Sequence, residues 1–177
     1  RQAGVVGMGG AAFPAHVKMS PPPEKPIHTL IFNGVECEPY LTSDHRLMLE
    51  KGKEILIGTK ILMKGLGVEK AVIGIENNKP DAIKVMSDLA AGFDGITIQP
   101  LKVKYPQGGE KQLIKAALNR EVPSGKLPIE VGCVVNNVGT AFAVYEAVQK
   151  NKPLIERVVT VTGKPVGKPS NFMVRIG

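Results

Sequence analysis

Short apolar runs that alternate with segments of helical spacing constrain the fold of this chain more than any other feature of its sequence. Residues 29–34 (TLIFNG), 69–76 (EKAVIGIE) and 95–104 (GITIQPLKVK) each have the length and the turn-residue borders of a buried strand. Apolar residues at helical spacing follow these runs in three segments, 43–67, 80–91 and 109–119. Because strands that alternate with helices form βαβ units, the sequence predicts an α/β fold with a parallel sheet covered by helices.

The borders of the predicted helices carry residues that start and stop helices. Ser43 or Asp44 is expected to cap the N-terminus of the first long helix, and Gly67 to end it. Pro80 opens the second helix, since proline is favoured in a first turn. A further helix is predicted over residues 140–150.

The pattern changes near the C-terminus. The segment RVVTVTGKPVGKPSNFMVRIG alternates apolar and polar residues around Gly-Lys-Pro turns, which is typical of β-strands. We therefore predict a boundary near Pro153, with an α/β domain over residues 1–152 and the beginning of a small β-rich module over residues 153–177. Because the chain lacks an initial Met and stops inside a strand-like pattern, we expect it to be a piece of a longer protein.

Composition narrows the class of protein. With 43% hydrophobic and 22% charged residues, the 177-residue chain has the balance of a globular protein that can bury a core. Its net charge of +7 favours anionic partners. The lysines are spread along the chain and aromatic residues make up only 5%, so a nucleic-acid partner is not expected. No apolar run approaches the ~20 residues of a membrane-spanning helix.

The cysteines and histidines do not form a metal-binding pattern. Cys37 and Cys133 lie far apart, each among apolar residues, which predicts two buried free thiols in a reducing cytoplasm. His16, His28 and His45 share no spacing typical of metal ligands, so no metal site is predicted.

Three glycines within four residues, in VVGMGGAAFPAHVK, form the first candidate site. Gly7, Gly9 and Gly10 match a dinucleotide-binding loop only weakly, because Pro14 interrupts the helix that this motif requires. Adjacent glycines nevertheless let backbone N–H groups converge on an anion, and Lys18 could add a positive charge. A glycine-rich turn or linker without a ligand explains the same residues.

Two further candidate loops follow predicted strands. Glu36 and Glu38, in NGVECEPY, come directly after the first strand, where carboxylates are costly unless they bind something. Ribose hydroxyls, amides or a metal would suit them, and so would solvent around an exposed loop. Gly108, Gly109 and Glu110, in KYPQGGEKQL, place backbone amides at a helix N-terminus suited to an anion or a carbonyl oxygen. The geometry of a βα turn alone would also require these glycines.

Asn136 and Asn137, in VVNNVGTAF, end another predicted strand. Their amides can face a heterocyclic ring or serve as turn and cap groups. Because the carboxyl ends of parallel strands meet at one edge of a sheet, all four stretches are expected at the same edge. This clustering indicates one large ligand with phosphate, sugar and ring portions, and it requires the opening glycines and the paired asparagines to share a cleft.

The same four stretches resemble those of two related flavoproteins. GMGGAAFPAHVK is similar to the motif G-R-G-G-A-G-F-P-T-G-x-K of the NADH-binding flavin subunit of respiratory complex I. Three further motifs of that subunit also have counterparts here. NGVECEPY is similar to N-A-D-E-G-E-P-G, YPQGGEKQL is similar to Y-I-C-G-E-E-T-A-L, and NNVGT is similar to N-N-V-E-T. Over essentially all 177 residues the chain resembles more closely the C subunit of the Rnf ion-translocating electron-transport complex. The resemblance implies a Rossmann-like sheet of the complex I flavin-subunit type, followed by the start of a β-grasp-like, ligand-binding module.

This resemblance implies a site for FMN and NAD(H). Around the flavin phosphate it implies Gly7, Gly9, Gly10 and Lys18. Along the flavin it implies Asn33, Glu36, Tyr105, Gly108, Asn136, Asn137 and Thr140. Facing the nicotinamide dinucleotide it implies Phe13, Glu38 and Glu110.

The resemblance also implies an activity and partners. Hydride would pass between NAD(H) and FMN, and single electrons would continue to iron-sulfur clusters of the full-length subunit, whose cysteine motifs are absent from this sequence. No protein nucleophile or general base is required for this chemistry. The implied partners are other subunits of the Rnf membrane complex and, indirectly, ferredoxin. The implied location is peripheral, at the cytoplasmic face of the cell membrane, where electron transfer is coupled to ion translocation.

Three positions depart from the complex I pattern. Met8, Val35 and Gly109 replace its arginine, its aspartate and one glutamate. These departures leave open a second hypothesis, in which the chain is a docking or structural module of the same complex that keeps the fold without binding flavin. The glycine and asparagine loops favour the flavoprotein.

Overall fold

Four strands pair in one parallel sheet, as the alternating pattern predicts. The computed structural model describes residues 1–177. The sheet has the order β3-β2-β1-β4, formed by β1 (Thr29–Asn33), β2 (Ala71–Glu76), β3 (Ile96–Leu101) and β4 (Cys133–Asn137). All neighbouring strands are parallel, and Leu30 of β1 lies between Ala71 of β2 and Val134 of β4. The predicted α/β class is confirmed.

Helices cover both faces of this sheet. They are α1 (Ala15–Lys18), α2 (Ser43–Leu66), α3 (Pro80–Ala90), α4 (Glu110–Leu118) and α5 (Val138–Gln149). Apolar side chains of α2, α3 and α5 pack with Leu30 and Phe32 on one face, which holds the larger part of the core. Those of α4 pack with Ile31 and Val35 on the other face. β1 is therefore buried on both sides, which explains its continuous apolar run.

The element borders agree with the sequence to within a few residues. Gly67 follows α2 in the left-handed conformation (φ 66°), and Pro80 is the first residue of α3. A short 3-10 turn, Pro128–Val131, precedes β4. No helix combines the length and the apolar character needed to span a membrane.

Two glycines let α2 pack closely against its neighbours. A Cβ at Gly52 would lie 2.8 Å from Leu89 Cδ1 of α3, and a Cβ at Gly58 would collide with the backbone carbonyl of Ala141 in α5. The helix also bends at Lys51, whose backbone leaves the helical region (φ −131°, ψ 25°). α2 therefore has the predicted length, but a kink next to Gly52 divides it.

Glu36 caps α2 in place of the predicted Ser43 or Asp44. Thr42 occupies the N-cap position and makes no side-chain cap bond. Instead, the backbone N–H groups of Asp44 and His45 donate to the two carboxylate oxygens of Glu36, at 2.8 and 3.0 Å. The prediction of a local cap was wrong because a carboxylate from the preceding loop satisfies these donors. It also adds negative charge at the positive end of the helix dipole.

The chain ends in a separate antiparallel pair, β5 (Glu156–Val161) and β6 (Ser170–Arg175), here called the tail hairpin. The predicted change from helices to β-strands is therefore confirmed. The domain boundary near Pro153 and the β-grasp character of the following segment remain predictions.

The two cysteines differ in burial. Cys133 is fully buried, and burial raises the pKa of its thiol to about 11. Cys37 is only half-buried, and its Sγ accepts a hydrogen bond from the Gly108 N–H at 3.3 Å. The prediction of a buried free thiol is confirmed for Cys133 and was wrong for Cys37, because Cys37 lies beyond the end of β1, where the sheet no longer covers it.

Candidate functional site

The asparagines that end two strands lie where the strand order reverses. From β1 the chain continues through β2 and β3 on one side of the sheet, and β4 lies on the other side of β1. Asn33 and Asn137, the last residues of β1 and β4, are partners in the sheet register. In open parallel sheets, ligands bind in the crevice outside the carboxyl ends of strands at such a reversal.

The N-terminal glycine loop (residues 7–13) lies over this crevice. Its Met8 N–H donates to Thr140 Oγ1 of α5 at 3.0 Å. A Cβ at Gly9 would lie 3.5 Å from Asn137 Cβ, which is ordinary van der Waals contact. Gly9, Gly10 and Asn137 therefore share one cleft, as a single large ligand requires, whereas Gly7 and Asn136 do not line it.

This cleft has a volume of about 560 Å³ and lies between the glycine loop, the carboxyl end of the sheet and the tail hairpin. Small-molecule sites commonly have volumes of ~300–1,000 Å³. Eight predicted site residues line it: Gly9, Gly10, Asn33, Glu36, Glu38, Gly108, Gly109 and Asn137. The sequence reasoning missed other lining residues, among them Cys37, Asp44, Phe142, Arg157 and Met173.

Asn137 is both a helix cap and a cleft residue. Its Oδ1 accepts the Gly139 N–H at 2.7 Å, which caps α5. Its Nδ2 donates to the Asn33 carbonyl at 3.3 Å and to Asp44 Oδ2 at 2.7 Å. The capping role that the sequence left open is therefore observed. The same side chain ties β1, α2 and α5 together at the floor of the cleft.

Asn136 differs from its neighbour, because its hydrogen bonding is incomplete. The residue is 5% exposed, and its Nδ2 has no partner within the chain. Buried donors are paired in the great majority of cases, since an unpaired one costs free energy. Asn136 does not line the main cleft, and its Nδ2 is enclosed by the chain, so this donor is not exposed to a ligand in the cleft.

Asp44 is a titratable group of the cleft that the sequence reasoning considered only as a cap. Burial raises the pKa of its carboxyl from 3.8 to about 6; the hydrogen bond from Asn137 opposes this change, and the charge of Glu36 adds to it. A carboxyl with this pKa exchanges a proton near neutral pH. No local signal in the sequence could have found Asp44, because its main neighbour lies far along the chain.

Glu38 and Tyr105 form a pair at the outer rim. Tyr105 Oη donates to Glu38 Oε1 at 2.9 Å, and this bond raises the pKa of the tyrosine. Tyr105 is 67% exposed and lines a neighbouring pocket of about 310 Å³, outside the main cleft. Phe13 is also exposed, on the glycine loop. These two predicted site residues, Tyr105 and Phe13, are therefore not brought into the cleft.

Lys18 and Glu110 contact each other. Lys18 Nζ donates to Glu110 Oε1 at 3.0 Å and to the Val135 carbonyl of β4 at 2.9 Å. Neither residue lines the main cleft. A phosphate bound by Lys18 would therefore have to compete with the Glu110 carboxylate. The remaining two predicted residues, Gly7 and Thr140, do not line the cleft either; Thr140 accepts the Met8 N–H, and the Gly7 N–H donates to the Phe13 carbonyl at 2.8 Å.

A buried ion pair supports the Glu36–Glu38 loop from behind. Lys79 Nζ donates to the Val35 carbonyl at 2.7 Å and lies 3.8 Å from Glu76 Oε2. Lys79 is 6% exposed and Glu76 is 1% exposed. Because buried charges need partners, this pair holds the start of the loop in one position. The sequence reasoning missed both residues, since charged residues at the end of a strand and before a helix are common on surfaces.

Comparison with known proteins places the chain in a family. A family model described as the Nuo51 FMN-binding domain matches residues 1–146. The chain belongs to this family. The match includes the glycine loop, all four strands of the parallel sheet and most of α5.

Curated relatives of this family are similar along the whole chain. The C subunit of the proton-translocating ferredoxin:NAD(+) oxidoreductase complex of Clostridium ljungdahlii is 54% identical, over 100% of this chain and 38% of the relative. The C subunit of the Na(+)-translocating complex of Acetobacterium woodii is 47% identical, over 99% of this chain and 40% of the relative. The chain therefore spans about two fifths of the length of these relatives.

A solved structure supports the fold. A chain of an NAD+-reducing NiFe hydrogenase in the H2-reduced state superimposes with a TM-score of 0.79 at 22% identity, over 98% of this chain and 35% of that chain. The likeness extends through the tail hairpin, and at this identity it bears on the fold alone.

Proposed function

We propose that the cleft binds FMN and NAD(H), and that this chain is the flavin-binding part of a larger subunit of an ion-translocating NAD:ferredoxin oxidoreductase. The observation that carries the proposal is that Asn33 and Asn137 meet the glycine loop in one cleft at the reversal of strand order. The family match and the names of the two bacterial relatives support it.

The residues present fit a phosphorylated ring system. Gly9 and Gly10 line the cleft, and their backbone N–H groups make no hydrogen bond within the chain, so they are free to bind an anion. The cleft volume of about 560 Å³ lies within the usual range of small-molecule sites.

The proposal gives the predicted residues distinct roles. The glycine loop binds the phosphate, Asn33, Asn137 and Gly108 orient the ring, and Glu38 faces the dinucleotide. Bound flavin would supply the hydride and single-electron chemistry, and the chain's own residues bind, orient and exclude water. The iron-sulfur clusters, the other subunits and ferredoxin lie outside these residues. We place the complex peripherally at the cytoplasmic face of the membrane.

Flavin fluorescence tests the proposal directly. We expect FMN to be quenched on titration with the purified chain, and Gly9→Leu to weaken binding at least about tenfold by filling space next to Asn137. A Cβ at Gly9 makes only ordinary contacts, so the variant should fold. Gly167→Leu, in the open turn of the tail hairpin, is the matched control and should bind as the parent does.

The alternative, a docking module without flavin, makes the opposite prediction. In that case micromolar FMN is not quenched by the parent chain, and Gly9→Leu and Gly167→Leu behave alike. Unchanged affinity in Gly9→Leu, with quenching by the parent, would place the flavin elsewhere on the molecule and refute the assignment of this cleft.

A further inference from the structure

The tail hairpin forms one wall of the cleft. Polar contacts attach it on two sides. On one side, the Thr42 N–H donates to Thr160 Oγ1 at 3.2 Å, and Asn171 Nδ2 donates to the Thr42 carbonyl at 3.3 Å. On the other side, Lys152 Nζ lies 3.0 Å from Glu146 Oε1 of α5 and 2.9 Å from Glu156 Oε2. The hairpin is therefore held in a defined position over the site.

The charge of the cleft is unfavourable for a phosphorylated ligand. Five carboxylates line it: Glu36, Glu38, Asp44, Glu146 and Glu156. Arg157, on β5, is the only cationic side chain that lines it. Because like charges repel strongly in a partly enclosed cleft, a phosphoryl group there needs this arginine or needs the carboxylates to be neutralised.

The carboxylates are already engaged. Lys152 pairs with two of them, the N-terminus of α2 binds Glu36, Asn137 donates to Asp44, and Tyr105 donates to Glu38. Arg157 is different, because it makes no ion pair and donates one long hydrogen bond, from Nη2 to the Met8 carbonyl at 3.4 Å. Most of its five donors are therefore available for a ligand.

The contact with Met8 places this guanidinium beside the glycine loop. Met8 itself carries no charge, and Lys18 is engaged by Glu110. Arg157 is thus the free cation next to the backbone N–H groups of Gly9 and Gly10. A guanidinium with several donors binds phosphate oxygens better than a single point charge does.

We propose that Arg157 is a ligand-binding residue, which reaches from the tail hairpin to bind the phosphoryl group held by the glycine loop. This inference rests on the proposed function. The phosphoryl group belongs either to FMN or to the dinucleotide. The tail hairpin is thereby part of the ligand site.

Three variants of the full chain test this assignment with FMN, riboflavin and NAD+ as ligands, by flavin fluorescence and calorimetry. Arg157→Ala should weaken FMN binding at least about tenfold, as expected for a charged hydrogen bond, and change the binding of riboflavin, which lacks the phosphate, less than about twofold. Arg157→Lys should restore part of the affinity. Arg175→Ala removes the same charge from the same hairpin outside the cleft and should bind as the parent does.

The outcomes separate the inference from the proposed function. Loss of NAD+ affinity with FMN unchanged would assign the phosphoryl group to the dinucleotide. If the parent binds FMN and Arg157→Ala binds every ligand equally well, the inference fails and the function stands. Equal effects in Arg157→Ala and Arg175→Ala, or equal losses for FMN and riboflavin, also overturn it. A parent chain that binds neither FMN nor NAD+ overturns both.

Discussion

Replacing Asp44 by asparagine is expected to stabilise the protein at neutral pH and to lose that advantage in acid. Burial at the floor of the cleft raises the pKa of this carboxyl from 3.8 to about 6. The folded state therefore disfavours the ionised form. Asparagine occupies nearly the same volume, can still accept the hydrogen bond from Asn137 Nδ2, and does not ionise.

The magnitude follows from the pKa. One pKa unit corresponds to about 1.36 kcal/mol, so the difference between 3.8 and about 6 corresponds to about 3 kcal/mol. Because the folded pKa lies above the unfolded one, the parent loses stability as the pH rises through this interval. About 3 kcal/mol is an upper value, since Asp44 is half-buried and solvent still reaches it.

Urea unfolding of the parent and of Asp44→Asn, from about pH 4 to about pH 8, measures this difference. The difference in free energy of unfolding, variant minus parent, should increase by about 1–3 kcal/mol as the pH rises from about 4 to about 8. Asp94→Asn, which changes an exposed carboxylate before β3, is the control and should stay within about 0.5 kcal/mol throughout. A pH-independent difference for Asp44→Asn, or one that shrinks as the pH rises, would refute the reasoning.

Three further predictions concern groups that support the cleft. Glu36→Ala should lower the free energy of unfolding by about 2 kcal/mol, because the first turn of α2 loses its cap, and Glu36→Gln should recover part of this in urea melts; a Glu36→Gln variant as stable as the parent would contradict a role for the charge. Lys79→Met should cost about 3–5 kcal/mol by leaving Glu76 buried without its partner, whereas pairing it with Glu76→Leu should cost less; additive losses in the double variant would argue against the pair. Iodoacetamide should modify half-buried Cys37 and spare buried Cys133 under native conditions, as peptide mass spectrometry can show, and FMN should protect Cys37; equal labelling with and without FMN would exclude Cys37 from the occupied cleft.

Much of the fold could be predicted because its signals are local. The apolar run of β1 reports burial on both faces, and Gly67 and Pro80 mark helix ends through their own backbone preferences. The clustering of candidate loops at one edge could be predicted from a general property of parallel sheets, without any measured distance. The hydrogen-bond partners of individual side chains could not be predicted in this way. The α2 cap was expected from Ser43 or Asp44 and comes from Glu36, because a loop turns back toward the helix N-terminus.

The sequence by itself determined the order of strands and helices along the chain, the edge of the sheet at which the glycine and asparagine loops lie, and the family that the motifs resemble. Periodicity and turn residues act over a few neighbours, so they can be read directly from the chain. Only the tertiary structure decided that Lys18 pairs with Glu110, that Asp44 contacts Asn137, and that Arg157 lies next to Met8. The two residues in each of these contacts are separated in the sequence by between 92 and 149 positions. These contacts depend on the order of the strands within the sheet and on the docking of the tail hairpin. Neither feature leaves a local signal in the sequence.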